Sequence, residues 1–251
     1  MEERYIRNRL YVSPEEQSVI KQKRVIFGGA GIGSIIAECA LRFGFEKITI
    51  VDGDVVEESN LNRQNYCQKD IGRYKAEVLA ERLLAINPSA DIHWHNEMIT
   101  HDNVEKIIGS NDYAINALDF SSDIPFVFDE VCKRKGIPVL HPYNFGWAGF
   151  LTVINPSGTT IKELSDNPYG FELKMAEYAT QYSAFWQNPQ IWLENIIQKY
   201  KAEKEIIVPP QLSIGSWITA GYCVNVLFRL STGEKILWFP KFYLSSVETP
   251  E

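Results

Sequence analysis

The chain has 251 residues, of which 45% are hydrophobic and 23% are charged, as in ordinary globular proteins with a substantial core. Its formal net charge of -7 at pH 7 argues against a nucleic-acid-binding protein, because phosphate neutralisation needs clustered Lys and Arg. No apolar run is long enough to span a membrane, and the N-terminus is too charged for a signal peptide, so we expect a cytoplasmic protein.

The first part of the chain alternates between short apolar strands and helices. In chain order, the pattern predicts strands at 24–28, 47–51, 91–96, 112–118, 138–143 and 150–155, and helices at 34–43, 72–86, 104–108 and 124–135. Such alternation is typical of a mostly parallel sheet with helices on both faces. We therefore expect a Rossmann-like α/β fold.

The pattern changes after residue 156. Helices are predicted at 171–185, 188–203 and 211–230, followed by a hairpin of strands at 235–239 and 242–246. We interpret the chain (1–251) as one domain, with a nucleotide-binding core at 1–156 and a crossover and helical segment at 157–251. The segment 169–204 is rich in aromatic residues, which would either line a groove for a peptide tail or pack as helix core. These residues are Tyr178, Tyr182, Phe185, Trp186 and Trp192.

Metal-ligand patterns are absent from the cysteines. The four cysteines form no CxxC pair, so we expect no zinc site and interpret them as buried or incidental residues. Among the histidines, His141 ends the fifth predicted strand and is a candidate substrate contact.

A glycine-rich turn follows the first predicted strand. Gly28, Gly29, Gly31 and Gly33 lie in the run GGAGIG, between that strand and a predicted helix. Glycines allow a tight turn and let backbone N–H groups approach phosphate, although a plain strand-to-helix connection needs the same geometry. Asp52, about 20 residues further on, is placed to accept hydrogen bonds from ribose hydroxyls, as in both ATP and NAD sites.

Polar side chains after the second strand favour ATP over NAD. Arg63 offers a planar donor fork for phosphate, Asn60 and Gln64 add neutral donors, and Lys75 adds a point charge. A triphosphate that loses pyrophosphate needs several cations, whereas a dinucleotide needs little beyond backbone amides. Either cation alone would be interpreted as surface charge, but the two together predict a triphosphate site.

A carboxylate ends the fourth predicted strand. Asp119 stands where ligands bind at the carboxyl ends of parallel strands, so it is a candidate magnesium ligand beside a triphosphate. The same residue would otherwise cap the following helix. Asp54, which we also place in the nucleotide site, and Asp123 are weaker candidates for the metal.

Together these motifs resemble the ThiF/MoeB/HesA family, which is related to ubiquitin-activating enzymes. The resemblance covers about residues 4–156, with a weaker match at 210–221. It depends on RYIRN at 4–8, GGAGIGS at 28–34, DGDVVEESNLNRQ at 52–64, IGRYKAE at 71–77 and NALD at 116–119. The second and third motifs, at this spacing, are highly specific.

The resemblance implies an adenylyltransferase that uses ATP and magnesium. Members activate a C-terminal carboxylate, often that of a ubiquitin-like or sulfur-carrier protein or peptide ending in glycine. It also implies that Asp52 holds the ribose and that Asp119 binds magnesium or assists catalysis. Arg7 matches an arginine that members insert into a neighbouring subunit's site, which implies a homodimer. The residues expected to contact the phosphates are Asn60, Arg63, Gln64 and Lys75.

The chain departs from the family pattern at several positions. Ala30 stands where glycine is usual, and Phe120 stands where asparagine is frequent. No cysteine lies between residues 156 and 222. The sequence therefore supports activation of a carboxylate, but not a later transfer through an enzyme cysteine.

Three other functions stay open. A tRNA-modifying dehydratase of the same superfamily also uses ATP without a thioester step, although the acidic net charge counts against it. An NAD-dependent oxidoreductase explains the glycine turn and Asp52 but leaves Arg63, Lys75 and Arg7 without a role. A binding-only scaffold is compatible with Ala30 and Phe120.

Overall fold

A single mixed sheet lies at the centre of the fold in this computed structural model, which describes residues 2–203 and 208–247. Its strands are β1 (Arg24–Gly28), β2 (Lys47–Val51), β3 (Asp91–His95), β4 (Tyr113–Asn116), β5 (Val139–Phe145), β6 (Ala148–Ile154) and β7 (Phe242–Ser246). Their order across the sheet is β3-β2-β1-β4-β5-β6-β7. The strands from β3 to β5 run parallel, whereas β6 and β7 pair antiparallel. The predicted α/β fold with a mostly parallel sheet is confirmed.

Helices cover both faces of this sheet. They are α1 (Pro14–Gln22), α2 (Ile32–Phe43), α3 (Lys75–Ile86), α4 (Val104–Ile108), α5 (Ile124–Arg134), α6 (Phe171–Phe185), α7 (Ile191–Lys201) and α8 (Ser213–Thr232). Within the described residues, none of these helices combines the length and apolarity needed to cross a membrane.

Alternation along β1 shows how the two faces are built. Val25 and Phe27 pack with residues of α2, α3 and α8, whereas Ile26 packs with residues of α4, α5 and α6. Successive strand side chains point to opposite faces, so an almost continuous apolar run is needed where both faces are covered.

The predicted C-terminal hairpin is wrong. Residues 235–239 form no strand, and β7 instead pairs with β6, with Leu244 opposite Phe150. The preceding segment lies over the sheet, where Ile236 and Trp238 pack against the core and Phe239 N–H donates to Val153 at 2.8 Å. The open edge of β6 offers β7 a complete ladder of backbone partners, and this outweighs a local hairpin.

The start of α3 also differs from the prediction. Gly72 and Arg73 belong to a turn in which Gly72 N–H donates to the Val56 carbonyl and Val56 N–H donates to the Arg73 carbonyl, each at 2.9 Å. Gly72 has a φ of 84°, outside the helical region. The helix therefore begins at Lys75, which places this lysine in its first turn.

The fold creates a crevice between β1 and β4. These strands are neighbours in register, with Gly28 opposite Asn116, although their next strands lie on opposite sides of the sheet. Ligands in open α/β sheets bind outside the carboxyl ends of strands at such a switch point. The predicted site residues follow β1, β2 and β4, so the topology brings their backbones together there.

Candidate active site

The glycine turn connects β1 to α2 at this crevice. Gly28 ends β1, and Gly33 lies in the first turn of α2. Gly29 has a φ of 93°, and a Cβ at this position would lie 2.4 Å from the Ala117 carbonyl oxygen. A Cβ at Gly31 would approach a side-chain nitrogen of the neighbouring loop to 3.3 Å. Glycine is therefore required most strictly at position 29.

Asp52 holds this turn from the end of β2. Its carboxylate accepts hydrogen bonds from the backbone N–H of Ala30 at 2.6 Å and of Asp54 at 2.8 Å. Burial raises the pKa of Asp52, and these two donors and Lys75 oppose the rise. A carboxylate has about four acceptor positions, so two bonds to the backbone leave capacity for ribose hydroxyls.

The alanine at position 30 fits the turn. Ala30 is completely buried in the core beneath the turn. Its carbonyl accepts a hydrogen bond from the Tyr66 hydroxyl at 2.7 Å, while its N–H binds Asp52. The turn therefore keeps both of these hydrogen bonds with alanine in place of the usual glycine.

Lys75 lies in the first turn of α3 and is buried. Its ammonium group is 3.0 Å from the Asp54 carboxylate, and its backbone N–H donates to the Asp54 carbonyl at 2.9 Å. Only 8% of Lys75 is exposed, whereas Asp54 is half-buried. This pairing holds a positive charge at a helix N-terminus, where anions are stabilised by the helix dipole and free N–H groups.

Arg63 is held by its own loop and by a residue distant in the sequence. Its Nε donates to the Gln211 side chain at 2.6 Å, and one Nη donates to the Ser59 carbonyl and the Asn62 side chain. Burial lowers the pKa of Arg63, and the Asp119 carboxylate opposes the change. The guanidinium remains charged at neutral pH because the arginine pKa is so high.

Asn60 and Gln64, the other two predicted phosphate contacts, differ in whether their side chains are free to bind a ligand. Asn60 is buried, and its Oδ1 accepts the Glu57 N–H at 3.0 Å, so it stabilises the loop that carries Arg63. The Gln64 side-chain oxygen is buried without a hydrogen-bond partner among the described residues. Gln64 is half-buried, and its side-chain N–H makes no hydrogen bond with the described residues, so this donor is the more available polar group.

Asp119 completes the cluster from the end of β4. Its side chain is exposed because it faces an open cavity, yet protein atoms surround it on the other sides. Burial in this position raises its pKa, Lys75 and Arg63 lower it, and Asp54 raises it. Arg63 and Lys75 therefore lie close enough to Asp119 for their charges to act on its carboxylate.

Arg7 does not join that cluster within one chain. It lies in an exposed turn of 3-10 helix, Glu3–Asn8, and makes no side-chain hydrogen bond or ion pair with the described residues. The turn itself is anchored, because the buried Tyr5 hydroxyl donates to Glu46 at 2.7 Å. Arg7 is therefore presented to solvent from a fixed backbone.

A deep cavity adjoins the cluster, with a volume of about 380 Å³. It lies at the carboxyl ends of β4 and β5 and is covered by α6, α7 and residues 209–212. Asp119 lines it together with Tyr143 and Glu172, which the sequence did not indicate. Burial raises the pKa of Glu172, and the Phe120 N–H donates to this carboxylate at 3.3 Å.

Two sequence-based candidates lie elsewhere. His141 is buried in β5, where its Nε2 is 2.8 Å from the Asp129 carboxylate on α5, and it does not line the cavity. The proposed groove aromatics do not line it either. Tyr178 and Tyr182 pack on Phe242, whereas Phe185 and Trp186 are exposed. Helical spacing identified α6 but not the face that forms the cavity.

The sequence of the chain matches a known family over a range that includes the glycine turn, Lys75 and Asp119. The ThiF family model matches residues 5–236. The chain belongs to the ThiF family. The resemblance predicted from the sequence motifs is thereby confirmed.

Curated relatives of this ThiF-family chain have several functions. SAMP-activating enzyme E1 of Haloferax volcanii is 31% identical over 149 residues, which are 59% of this chain and 55% of the relative. A tRNA threonylcarbamoyladenosine dehydratase of Escherichia coli is 34% identical over 134 residues, which are 53% of this chain and 50% of the relative. The chain thus spans about half the length of the curated relatives it matches.

Solved structures share the fold. E. coli MccB with AMPCPP and MccA has a TM-score of 0.69 at 18% identity, covering 97% of this chain and 70% of that chain. E. coli tRNA N6-threonylcarbamoyladenosine dehydratase with ATP has a TM-score of 0.64 at 22% identity, covering 90% of this chain and 92% of that chain.

Proposed function

We propose that this protein is an ATP- and magnesium-dependent adenylyltransferase. Its substrate would be the C-terminal carboxylate of a ubiquitin-like carrier, a sulfur carrier or a peptide ending in glycine. The observation that supports this most is the convergence of Arg63, Lys75 and Asp119 beside the glycine turn. Relatives named as a SAMP-activating enzyme and as a ThiS adenylyltransferase favour the same class of reaction.

The nucleotide would lie across the crevice between β1 and β4. Asp52 would accept the ribose hydroxyls, and the backbone N–H groups of the glycine turn would bind phosphate. Lys75 and Arg63 would neutralise the phosphate charges, with Gln64 as an additional polar contact. Asn60 would act through the loop geometry that positions Arg63.

The carboxylates fit a magnesium ion that arrives with ATP. Magnesium binds through one or two carboxylates together with phosphate oxygens and water, so a dedicated cage of protein ligands is not required. Asp119 and Asp54 supply such oxygens within the cluster. The bound ion would draw charge from the phosphate oxygens, and Asp119 would orient it.

The reaction needs no protein nucleophile. One oxygen of the substrate carboxylate attacks the α-phosphorus, the bond to the bridging oxygen of the β-phosphate breaks, and pyrophosphate leaves with the electron pair. The products are an acyl adenylate and pyrophosphate. Positioning and charge neutralisation by Lys75 and Arg63 supply the catalysis.

Exchange of labelled pyrophosphate into ATP tests this proposal. We expect exchange that depends on a carrier or peptide with a C-terminal glycine, and its loss in Asp119→Asn. The matched control is Asp112→Asn, because Asp112 pairs with Lys23 away from the crevice. If no carrier or peptide supports exchange, while ATP still binds, the chain is a binding scaffold and the proposal is wrong.

Arg7 tests the proposed homodimer. We propose that it reaches the partner subunit's site, since its own chain leaves it exposed. Arg7→Ala and Lys75→Met should each abolish most exchange. Mixing the two unfolded proteins and refolding them together should restore about a quarter of wild-type activity, because random pairing gives half of the dimers one intact site. Arg9→Ala, also exposed, is the control. If the mixture shows no recovery, the composite site is wrong.

A second candidate is a tRNA-modifying dehydratase. Dehydratases from E. coli and Haemophilus influenzae are 34% and 31% identical over the matched segments, which favours this alternative. It predicts salt-sensitive binding of tRNA, although the net charge of -7 opposes such binding. Titration with tRNA at two salt concentrations separates the candidates. Titration with NADH and with ATP–magnesium separates both from an oxidoreductase.

A further inference from the structure

The cavity beside Asp119 adjoins the proposed nucleotide crevice and offers space for part of a second ligand. Its floor comes from residues at the ends of β4 and β5, and its cover comes from α6, α7 and residues 209–212. Asp119 belongs to both the cavity wall and the proposed adenylation cluster. A substrate group bound in the cavity would therefore lie next to the substrate carboxylate that is adenylated. Its volume of about 380 Å³ lies in the range of small-ligand sites, about 300–1,000 Å³.

The wall is mainly apolar and carries no positive charge. Neither Lys, Arg nor His is present among the described residues that line it, and its charged groups are Asp119 and Glu172. An acidic ligand group near α6 would meet the Glu172 carboxylate with no cation in the cavity wall, whereas an apolar group would gain from desolvation. The main apolar residues of the wall on α6 and α7 are Leu173, Ala176, Leu193, Ile196 and Ile197.

One polar group in the wall lacks a partner. The Tyr143 hydroxyl makes no hydrogen bond with any described residue, and Tyr143 is only 7% exposed. Aromatic rings pack around Tyr143. The ring centroids of Phe120, Phe145 and Phe150 each lie no more than 6.5 Å from the ring centroid of Tyr143. The hydroxyl oxygen is itself enclosed, so Tyr143 presents its aromatic ring, not its polar group, to the cavity. Burial, Asp129 and Glu172 raise the pKa of Tyr143, so the enclosed hydroxyl stays protonated.

We propose that this cavity is a specificity pocket for one bulky apolar side chain of the substrate, close to the activated carboxylate. The substrate is thus a protein or peptide tail with Leu, Ile, Met or Phe shortly before its end. This inference rests on the proposed adenylation, and it specifies which substrate tails the site accepts.

Peptides that differ at one residue test the pocket. Tails ending in glycine would carry Phe, Leu, Ala or Asp at each position before the end, and pyrophosphate exchange would be measured for each. At one position we expect kcat/KM to be about 10- to 100-fold higher for Phe or Leu than for Ala, as burial of a large apolar side chain implies. Asp at that position should be poorer than Ala.

Two alanines on the same helix provide a matched pair. Ala176 lines the cavity, whereas Ala184 is exposed on α6 outside it. Ala176→Leu should reduce kcat/KM for the Phe peptide far more than for the Ala peptide, and Ala184→Leu should change neither. Tyr143→Phe should leave kcat/KM for all peptides nearly unchanged, because the hydroxyl does not open into the cavity. Thermal unfolding shows whether each variant is folded.

Calorimetric binding of the same peptides gives a readout without turnover. The protein could bind the Phe and Leu peptides preferentially, lose that binding in Ala176→Leu, and show no pyrophosphate exchange. This outcome would support the pocket and reject adenylation. Exchange that shows no apolar preference and no response to Ala176→Leu would overturn the pocket and leave adenylation intact. Absence of both binding and exchange would overturn both.

Discussion

The phosphate side and the substrate side of the site are built in different ways. The proposed phosphate side consists of loops after β1, β2 and β4 and of the start of α3. Asp52 is held there by backbone hydrogen bonds and Lys75 by an ion pair with Asp54, and both act electrostatically with Asp119 or Asp54 in the same cluster. The substrate side consists of α6 and α7, which pack mainly through apolar and aromatic contacts. We infer that the first side sets the reaction and the second side sets its substrate.

The largest effect is expected when a buried phenylalanine that packs α6 against the rest of the protein is removed. Phe171, the first residue of α6, is completely buried and its ring centroid lies 4.5 Å from that of Phe120. Phe171→Ala should lower the free energy of unfolding by about 3–5 kcal/mol. Phe185→Ala, at the other end of the helix and 78% exposed, should change it by less than about 0.5 kcal/mol. Urea unfolding measures both, and equal losses would contradict the packing role of Phe171.

The next effect falls on the phosphate side. Lys75→Met should reduce pyrophosphate exchange by about 100- to 1,000-fold, as for loss of one preorganised donor. Because Lys75 does not itself line the substrate cavity, the ratio of activities between peptides should stay the same. Lys69→Met, exposed in the same loop region, is the control and should be fully active. A changed peptide ratio in Lys75→Met would show that the two sides are not separable.

A smaller effect tests the support behind the phosphate side. The buried Glu38 on α2 accepts hydrogen bonds from Arg42, Arg82 and Asn65, and thereby joins α2, α3 and the loop that carries Arg63. At neutral pH, Glu38→Gln should cost about 1.5–3 kcal/mol of unfolding free energy. The exposed Glu234 pairs with Arg229, and Glu234→Gln should cost at most about 1 kcal/mol.

The pH dependence of that loss follows from the pKa of Glu38. Burial pushes this pKa up, but the bonds from Arg82, Arg42 and Asn65 outweigh it, so the pKa lies below its ordinary value of 4.5. A lowered carboxyl pKa stabilises the fold above the unfolded-state pKa and loses that contribution as pH falls through the folded-state value. Wild type and Glu38→Gln should therefore converge in stability below about pH 4.5. A constant difference would contradict the pKa direction.

The smallest effect is a shift in the pKa of Asp119. Lys75 lowers this pKa and Asp54 raises it, against the larger effect of burial. Lys75→Met should therefore raise the pKa of Asp119, whereas Asp54→Asn should lower it. Carboxyl-carbon NMR titration of labelled aspartate measures both shifts. Shifts in the same direction would show that the two residues do not act on Asp119 by charge alone.

Sequence reasoning located the phosphate side because its residues follow strands at short range. Gly29, Asp52 and Lys75 each lie within a few residues of a strand end or helix start, and the fold brings those ends together. The contact between Arg63 and Gln211 was not predictable, since 148 residues separate them. The place of Tyr143 in the cavity wall was not predictable either, because the rest of that wall comes from α6 and α7.

The sequence by itself determined the alternation of strands and helices, the family, and the polar residues that surround the nucleotide crevice. These follow from local periodicity and from motifs in which neighbouring residues act together. Only the tertiary structure decided that β7 pairs with β6, that His141 pairs with Asp129 on α5, and that α6 and α7 cover a cavity. Those outcomes depend on which surfaces meet, and packing between distant segments is not encoded in any one stretch of chain.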